Sequence, residues 1–343
     1  MSEILVEPIR DSGEEEVTAN GKSGRTTRRW VLIALVIVVL ALPLARPWIG
    51  AYNYVLQLGM IVLMWVTMAS SWNILGGFTG YISLGHNVFF GIGGYASGLA
   101  LAYWGVSPFI SAVGAGFIAV LVGLLIGLIT LRTRGPAFII STIALLLLIH
   151  NLIDNWELAG GASGLSLPLP PLPLDWLKVP FYYGMALCAF GAVGLAYLIS
   201  HSKFGLGLRA LSQDETKAEV AGINTRLYKV SAYALSAFFI GVAGSLFGYS
   251  LSYLRPTTFF EIGLAAQMVL MCIIGGRATV AGPVIGAILI TAVNEYSVVQ
   301  FGGTALNIVV TGGILLATLI FFPLGIVGSL REAGRLPAFL DWD

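Results

Sequence analysis

Apolar residues fill this chain in long blocks that are separated by short polar or glycine-rich connections. A membrane-crossing helix needs about 20 predominantly apolar residues. Ten runs are candidates: 30–45, 51–75, 86–104, 109–131, 136–153, 181–200, 230–252, 262–275, 281–298 and 305–324, some of them short for a span. The first follows an arginine pair and reaches Ala45 through small residues, as a signal peptide would. A retained helix is preferred, because the preceding stretch is long and acidic for a signal peptide and the next run begins almost at once. Residues 1–29 are polar, with Glu14, Glu15 and Glu16 followed by Arg25, Arg28 and Arg29, and read as a disordered tail. Gly21-Lys22-Ser23 resembles the end of a phosphate-binding loop, but Glu16 stands where the first glycine is needed and no strand precedes it.

The basic residues orient the runs. If the tail arginines lie in the cytoplasm, so do Arg132, Arg134, the 201–229 loop with Lys203, Arg209, Lys217, Arg226 and Lys229, and then Arg277, Arg331 and Arg335. The Asp154–Pro180 loop falls outside, where Asp154, Glu157 and Asp175 outnumber Lys178; Arg46 and Arg255 are exceptions. The expected fold is an all-α, polytopic transmembrane bundle of about ten spans with both termini inside. Its parts are a polar cytoplasmic tail over 1–29, a membrane domain over 30–328 and a short cytoplasmic tail over 329–343. Spans two to five and seven to ten then run in opposite directions, which suits an inverted repeat, although the halves share too little sequence to establish one.

Composition supports a bilayer environment. Of 343 residues, 57% are hydrophobic and only 10% charged, against about 25% charged in soluble domains. A net charge of +1 supplies no basic field for nucleic acid. Cys188 and Cys272 both lie in apolar runs, which argues against a disulfide framework or a CxxC metal site.

Four segments carry candidate chemistry. The stretch Asn73 to Tyr95 is dense in glycine and contains Gly85, His86 and Asn87. It fits either a broken helix exposing polar backbone to a pathway or close small-residue packing. The His86 side chain reads more simply as a helix-end histidine bonded to backbone than as a ligand or proton relay. The second segment, His201–Ile223, interleaves apolar and charged positions and reads as a short amphipathic helix stopped at Gly222, offering a surface to a soluble partner, or else as a solvated loop. The third, Gly275–Pro283, joins two runs around Gly276 and Arg277. Glu295, in the next run, either lines a polar pathway or sits at the outer interface. The fourth, Gly161-Ala-Ser163-Gly164, has the local form seen around the serine of rhomboid-type intramembrane proteases, but it sits in a proline-rich loop rather than at a helix start.

In this order, the segments resemble the LivM-type permease subunits of branched-chain amino acid ABC importers. The resemblance runs from about Trp30 to Gly328 and rests on five stretches. They are Gly80-Tyr-Ile-Ser-Leu-Gly-His-Asn-Val-Phe-Phe-Gly-Ile-Gly-Gly-Tyr95, Asn155 to Leu165, Ser202-Lys-Phe-Gly205 with Ala221-Gly-Ile223, Ile274 to Pro283, and Phe322-Pro-Leu-Gly-Ile326. The tail lies outside it, and Gly275–Val280 departs from the family's glycine-richer, arginine-free wording. The resemblance implies a scheme. An extracytoplasmic substrate-binding protein delivers solute, this chain and a homologous second permease form the pathway, and two cytoplasmic ABC ATPases drive alternating access in a bacterial or archaeal cytoplasmic membrane. It maps the ATPase contact onto Gly205, Leu208, Arg209, Asp214, Glu215, Ala218, Glu219, Ala221 and Gly222, and places Gly85, His86, Gly275 and Gly276 near the pathway. This chain has no nucleotide-binding motif and is expected to be no enzyme and to bind no cofactor of its own; ATP and magnesium belong to the partner ATPases. The rival readings are a stand-alone channel or secondary carrier for a small polar solute such as urea or an amide, and an intramembrane serine protease.

Overall fold

A computed structural model describes residues 33–34, 36–44, 52–171, 173, 176–302, 309, 312–313, 316–317, 320–322, 324–333, 337 and 342. The tail 1–29, most of the last run (305–324), parts of the first and much of the C-terminal 329–343 lie outside the described residues. Twelve α-helices are described: α1 Tyr52–Gly76, α2 Asn87–Trp104, α3 Pro108–Thr130, α4 Pro136–Asp154, α5 Val179–Ser200, α6 Lys203–Gln213, α7 Glu215–Val220, α8 Thr225–Leu251, α9 Pro256–Phe259, α10 Ile262–Gly275, α11 Ala281–Phe301 and α12 Gly325–Glu332. One antiparallel ribbon pairs β1 (Leu165–Ser166) with β2 (Tyr253–Leu254).

Seven helical stretches among the described residues are long and apolar enough to cross a membrane: α1, α3, α4, α5, α8, α9 with α10, and most of α11. The protein is therefore a polytopic helical membrane protein. The run expected as a span over 86–104 does form a helix, α2, but it is not among the seven. Its first turns carry Asn87, Gly91, Gly93 and Gly94, and they are buried against protein. Without water in the bilayer, backbone polar groups must be satisfied within the protein, and in the long helices the helical hydrogen bonds do this.

The centre is built on α8. Helix α2 runs parallel to it, from His86 beside Ser236 to Gly94 beside Gly248, and Gly93 and Phe90 touch Gly241 and Gly244 where the two cross. A Cβ on Gly244 would lie 1.9 Å from the Phe90 carbonyl oxygen, so the two backbones touch. Helix α3 packs antiparallel on α8 through Gly116, Gly123 and Gly127. This is small-residue packing, which gains dispersion contact where hydrophobic burial offers little drive. Helices α10 and α11 form a second close pair, where a Cβ on Gly275 would meet the Gly282 carbonyl oxygen at 1.8 Å. Helix α4 is the least buried of the long helices. Only one stripe of it, Phe138, Thr142, Leu146 and Ile153, turns inward.

The contacts define two ends of the bundle. At one lie the end of α1, the α3–α4 turn, α6–α7, the start of α8 and the 276–280 turn; there sit Arg132, Arg134, Lys203, Arg209, Lys217, Arg226, Lys229 and Arg277. At the other lie the β ribbon, the 155–171 loop and the start of α5.

The structure corrects the expected elements in three places. The 201–223 segment is two helices, not one. Asp214, extended at φ −161°, ends α6 and caps α7, its carboxylate accepting from the Lys217 amide. Helix α8 begins at Thr225, not near 230, because the Asn224 side chain caps it by accepting from the Leu227 amide. Lys229 consequently belongs to a helix and is buried, rather than standing in a solvated loop.

Candidate functional site

Two linked regions gather most of the residues singled out from sequence. The first is a helix break. After α1, residues 77–86 are non-helical before α2 starts. His86 is fully buried and its Nε2 lies 3.0 Å from Ser236 Oγ. Ser236 already donates its proton to the Tyr233 carbonyl oxygen, so the imidazole donates from Nε2–H and leaves Nδ1 as an unpartnered acceptor. Ser236 is 11 residues into α8, about 16 Å from its start, so α2 begins deep within the bundle. From the opposite end, residues 252–261 fold back along α2, with Leu254 over Gly98 and Phe260 over Gly91. The Asn87 amide then donates to the Glu261 carbonyl oxygen at 2.7 Å and lies 3.4 Å from that of Phe259. Thus α2 and α10 both start in the interior, α2 after the non-helical segment 77–86 and α10 after β2 and the single turn α9, and the two segments enter from different ends. This is the arrangement an inverted pair of interrupted helices produces.

The break is held on several sides. Trp72 Nε1 donates to the Ser83 carbonyl oxygen, and Leu84 N donates to Thr142 Oγ1 on α4. A Cβ on Gly85 would lie 2.5 Å from the Thr142 carbonyl oxygen, which explains glycine there by close approach. Asn73 clamps the 276–280 turn: its Nδ2 donates to the Thr279 carbonyl oxygen, and Ala278 N donates to its Oδ1. Gly276 packs in the same turn against Val327. Glu295 is not part of this group. It accepts a 2.5 Å hydrogen bond from Tyr54, 19 residues before Asn73 on α1 and so about 28 Å along the helix.

The second region is α6–α7. Its predicted contact residues divide into an inner and an outer set. Gly205, Leu208 and Ala218 are buried. The Arg209 guanidinium lies 5.8 Å from the centre of the Phe78 ring. Glu215 turns inward. Its Oε1 receives Lys229 Nζ at 2.6 Å, and its Oε2 receives the Tyr81 hydroxyl at 2.5 Å and Arg134 Nε at 3.3 Å. Lys229 also reaches the Leu131 carbonyl oxygen at 3.4 Å. Glu219 accepts from Thr225 Oγ1 and pairs with Arg134. Ala221 and Gly222 face outward. Gly222 has φ +86° with open space beside it, the left-handed residue that ends α7. Leu206 on α6, Val220 on α7 and Leu227 at the start of α8 are also largely exposed. In the sequence they are only apolar positions among charges. Their exposure, the signal of a contact surface, needed the helix faces.

Electrostatics ties α7 down. Burial works to raise the Glu215 carboxyl, but the hydrogen bonds from Lys229 and Tyr81, with the charges of Lys229 and Arg134, outweigh it and hold the group below its ordinary value. The Tyr81 phenol is pushed up, first by burial and then by its hydrogen bond to Glu215. Because the Glu215 value is depressed on folding, its contribution is complete above the unfolded value of about 4.5 and disappears as pH falls through the folded value. We therefore expect the thermal midpoint of the detergent-solubilised protein to be insensitive to Glu215 between pH 7 and 5 and to fall below about pH 4. A Glu215→Gln variant should lose that acid-dependent step; an unchanged profile would show that another group sets it.

The protease arrangement does not form. Ser163 lies in a short 3-10 turn, its carbonyl oxygen accepts from Tyr253, and no hydrogen bond joins its hydroxyl to a histidine among the described residues. His150 instead lies 3.5 Å from the Asp154 carboxylate. Cys188 and Cys272 are free and buried, and no group of three His, Cys, Asp or Glu side chains among the described residues could hold a metal ion.

Comparison with known proteins agrees with this architecture. The chain is 24% identical over 334 residues to the high-affinity branched-chain amino acid transport system permease protein LivM of Escherichia coli, covering 88% of this chain and 76% of that protein. It is 28% identical over 135 residues to the corresponding permease BraD of Pseudomonas aeruginosa, covering 39% and 43%. It is 22% identical over 227 residues to the autoinducer 2 import system permease LsrC of Salmonella typhimurium, covering 63% of each. No solved structure matches. Residues 53–319, which include the helix break, α6–α7 and both close glycine pairs, match the family described as branched-chain amino acid transport system / permease component, and the chain belongs to that family of membrane transport permeases.

Proposed function

We propose that this chain is the transmembrane subunit of an ATP-binding-cassette importer for branched-chain or related amino acids. The basic end of the bundle faces the cytoplasm and the proline-rich loop faces outward, where a substrate-binding protein docks. A homologous permease completes the pathway, and two partner ATPases, which hold ATP and magnesium, drive alternating access in the cytoplasmic membrane. The observation that carries this reading is α6–α7. It is a pair of short helices between two membrane-crossing helices, anchored inward by Leu208, Ala218 and Glu215, with its tip at Val220, Ala221 and Gly222 exposed on the basic end. An exposed apolar tip on a firmly seated base suits a surface that receives a soluble partner.

Affinity purification from native membranes in mild detergent, with mass spectrometry, tests this. A second permease and two P-loop ATPases in fixed stoichiometry support the reading; a homo-oligomer without an ATPase favours a channel or carrier. Gly222→Val should lower stability by only about 1–2 kcal/mol, the cost of a left-handed β-branched residue, while cutting ATPase retention and uptake at least about tenfold by reshaping an exposed tip. Uptake and retention unchanged in both Gly222→Val and Glu219→Arg would remove the coupling role from this segment.

A further inference from the structure

We propose that Tyr81, through the carboxylate of Glu215, is the positioning residue that carries displacement of α7 to the helix break. This rests on the importer reading above. One carboxylate collects donors from three separate elements: Lys229 from α8, Tyr81 from the non-helical segment 77–86 and Arg134 from the turn before α4. The Lys229 ammonium is itself saturated, by Glu215 Oε1, the Tyr81 hydroxyl at 3.3 Å and the Leu131 carbonyl oxygen. It also lies 4.8 Å from the centre of the Tyr81 ring. Glu215 belongs to a helix of six residues held mainly by Ala218, Glu219 and this carboxylate. Its seat is therefore decided by the cluster more than by packing.

Tyr81 sits midway along the non-helical stretch 77–86 that ends at His86. Between them Ser83 is pinned to Trp72, Leu84 to Thr142, and Gly85 leaves no room against the α4 backbone. A segment fixed at successive residues transmits a pull instead of absorbing it. At its far end stand His86 and Asn87, the latter bonded to the carbonyl oxygen of Glu261 where α10 begins. Arg134 ties the same carboxylate to α4, the least buried long helix and so the one with fewest contacts to lose in moving. A tilt of α7 thus acts at once on the break and on α4, and among the described residues the Tyr81 hydroxyl supplies the hydrogen bond that joins α7 directly to the segment that leads there.

The test uses the intact complex, reconstituted in liposomes with its binding protein, and compares wild type with Tyr81→Phe. Phenylalanine keeps the ring beside Lys229 and leaves the Glu215–Lys229 pair in place. Protein level, ATPase-subunit retention and ATP hydrolysis should stay within twofold of wild type, while solute taken up per ATP falls at least fivefold. A second variant, Glu215→Met with Lys229→Met, removes the pair without leaving a lone charge and should show the same loss of uptake per ATP. Unchanged uptake per ATP in Tyr81→Phe overturns the inference alone. So does a proportional fall in level, retention and uptake, which marks a folding staple. A wild-type preparation with no ATPase overturns the importer reading, and this inference with it.

Discussion

Gly244→Leu is expected to leave less than about a tenth of the protein in a monodisperse folded form. A Cβ at Gly244 would lie 1.9 Å from the Phe90 carbonyl oxygen and 2.7 Å from its carbon, and Gly93 meets the Gly241 backbone one turn away. The obstacle is backbone, not a side chain that can turn aside. Overpacking in a yielding core costs about 1–3 kcal/mol, and forcing α2 from α8 exceeds that range because their contact also seats the helix break. The control is the same change at Gly114 or Gly194, where nothing stands within 4 Å of the added Cβ. Both controls should fold normally and gain slightly in helix propensity. Fluorescence-detected size exclusion with thermal challenge reads all three. Equal behaviour of Gly244→Leu and Gly114→Leu would show that α2 and α8 do not meet as described.

Lys229→Met should destabilise the protein by about 3 kcal/mol or more, whereas Lys229→Met with Glu215→Met should recover most of that loss. Removing one member of a buried pair leaves an uncompensated charge, which typically costs about 3–5 kcal/mol, while replacing both by apolar residues of similar volume is often neutral. Here the low end is expected, because Tyr81 and the partly exposed Arg134 still reach the Glu215 carboxylate. The Glu215 side chain is 12% exposed and that of Lys229 is 4% exposed, so water can solvate neither well once its partner is gone. Thermal midpoints of the single and double variants decide the matter. A double variant as unstable as the single one would mean that packing, not charge pairing, holds α7.

Much of the fold was readable from the chain. The blocks expected over 51–75, 109–131, 136–153, 181–200 and 262–275 became α1, α3, α4, α5 and α10 with ends shifted by at most two residues. A continuous apolar run long enough to cross a bilayer has few alternatives, since lipid forces its backbone bonds inward. Gly222 as a helix stop was equally legible, because a left-handed residue after an amphipathic stretch favours glycine. The ordered motifs from Gly80 to Ile326 also carried the family, which the match over residues 53–319 shows.

The site was less legible. Glu215 and Glu219 look alike in sequence, yet one turns inward to Lys229 and Tyr81 and the other bonds Thr225 at the surface. Which face of a six-residue helix is buried depends on what it lies against, and Tyr81 is 134 residues away from Glu215. Lys229 read as one more basic residue in a cytoplasmic loop because no local signal marks a lysine for burial. The fold-back of residues 252–261 was missed altogether, since its pairing with β1 and its packing on α2 are long-range.

The sequence by itself determined that this chain belongs in a bilayer, where most of its helices run and which transport family it resembles. Those properties are local or cumulative, set by apolar length, glycine placement and the sum of short motifs. Only the tertiary structure decided that α2 and α10 begin inside the bundle and meet through Asn87 and Glu261, and that one carboxylate joins α7, α8 and the broken segment. Those are contacts between residues far apart in the chain, and their geometry exists only once the helices have packed.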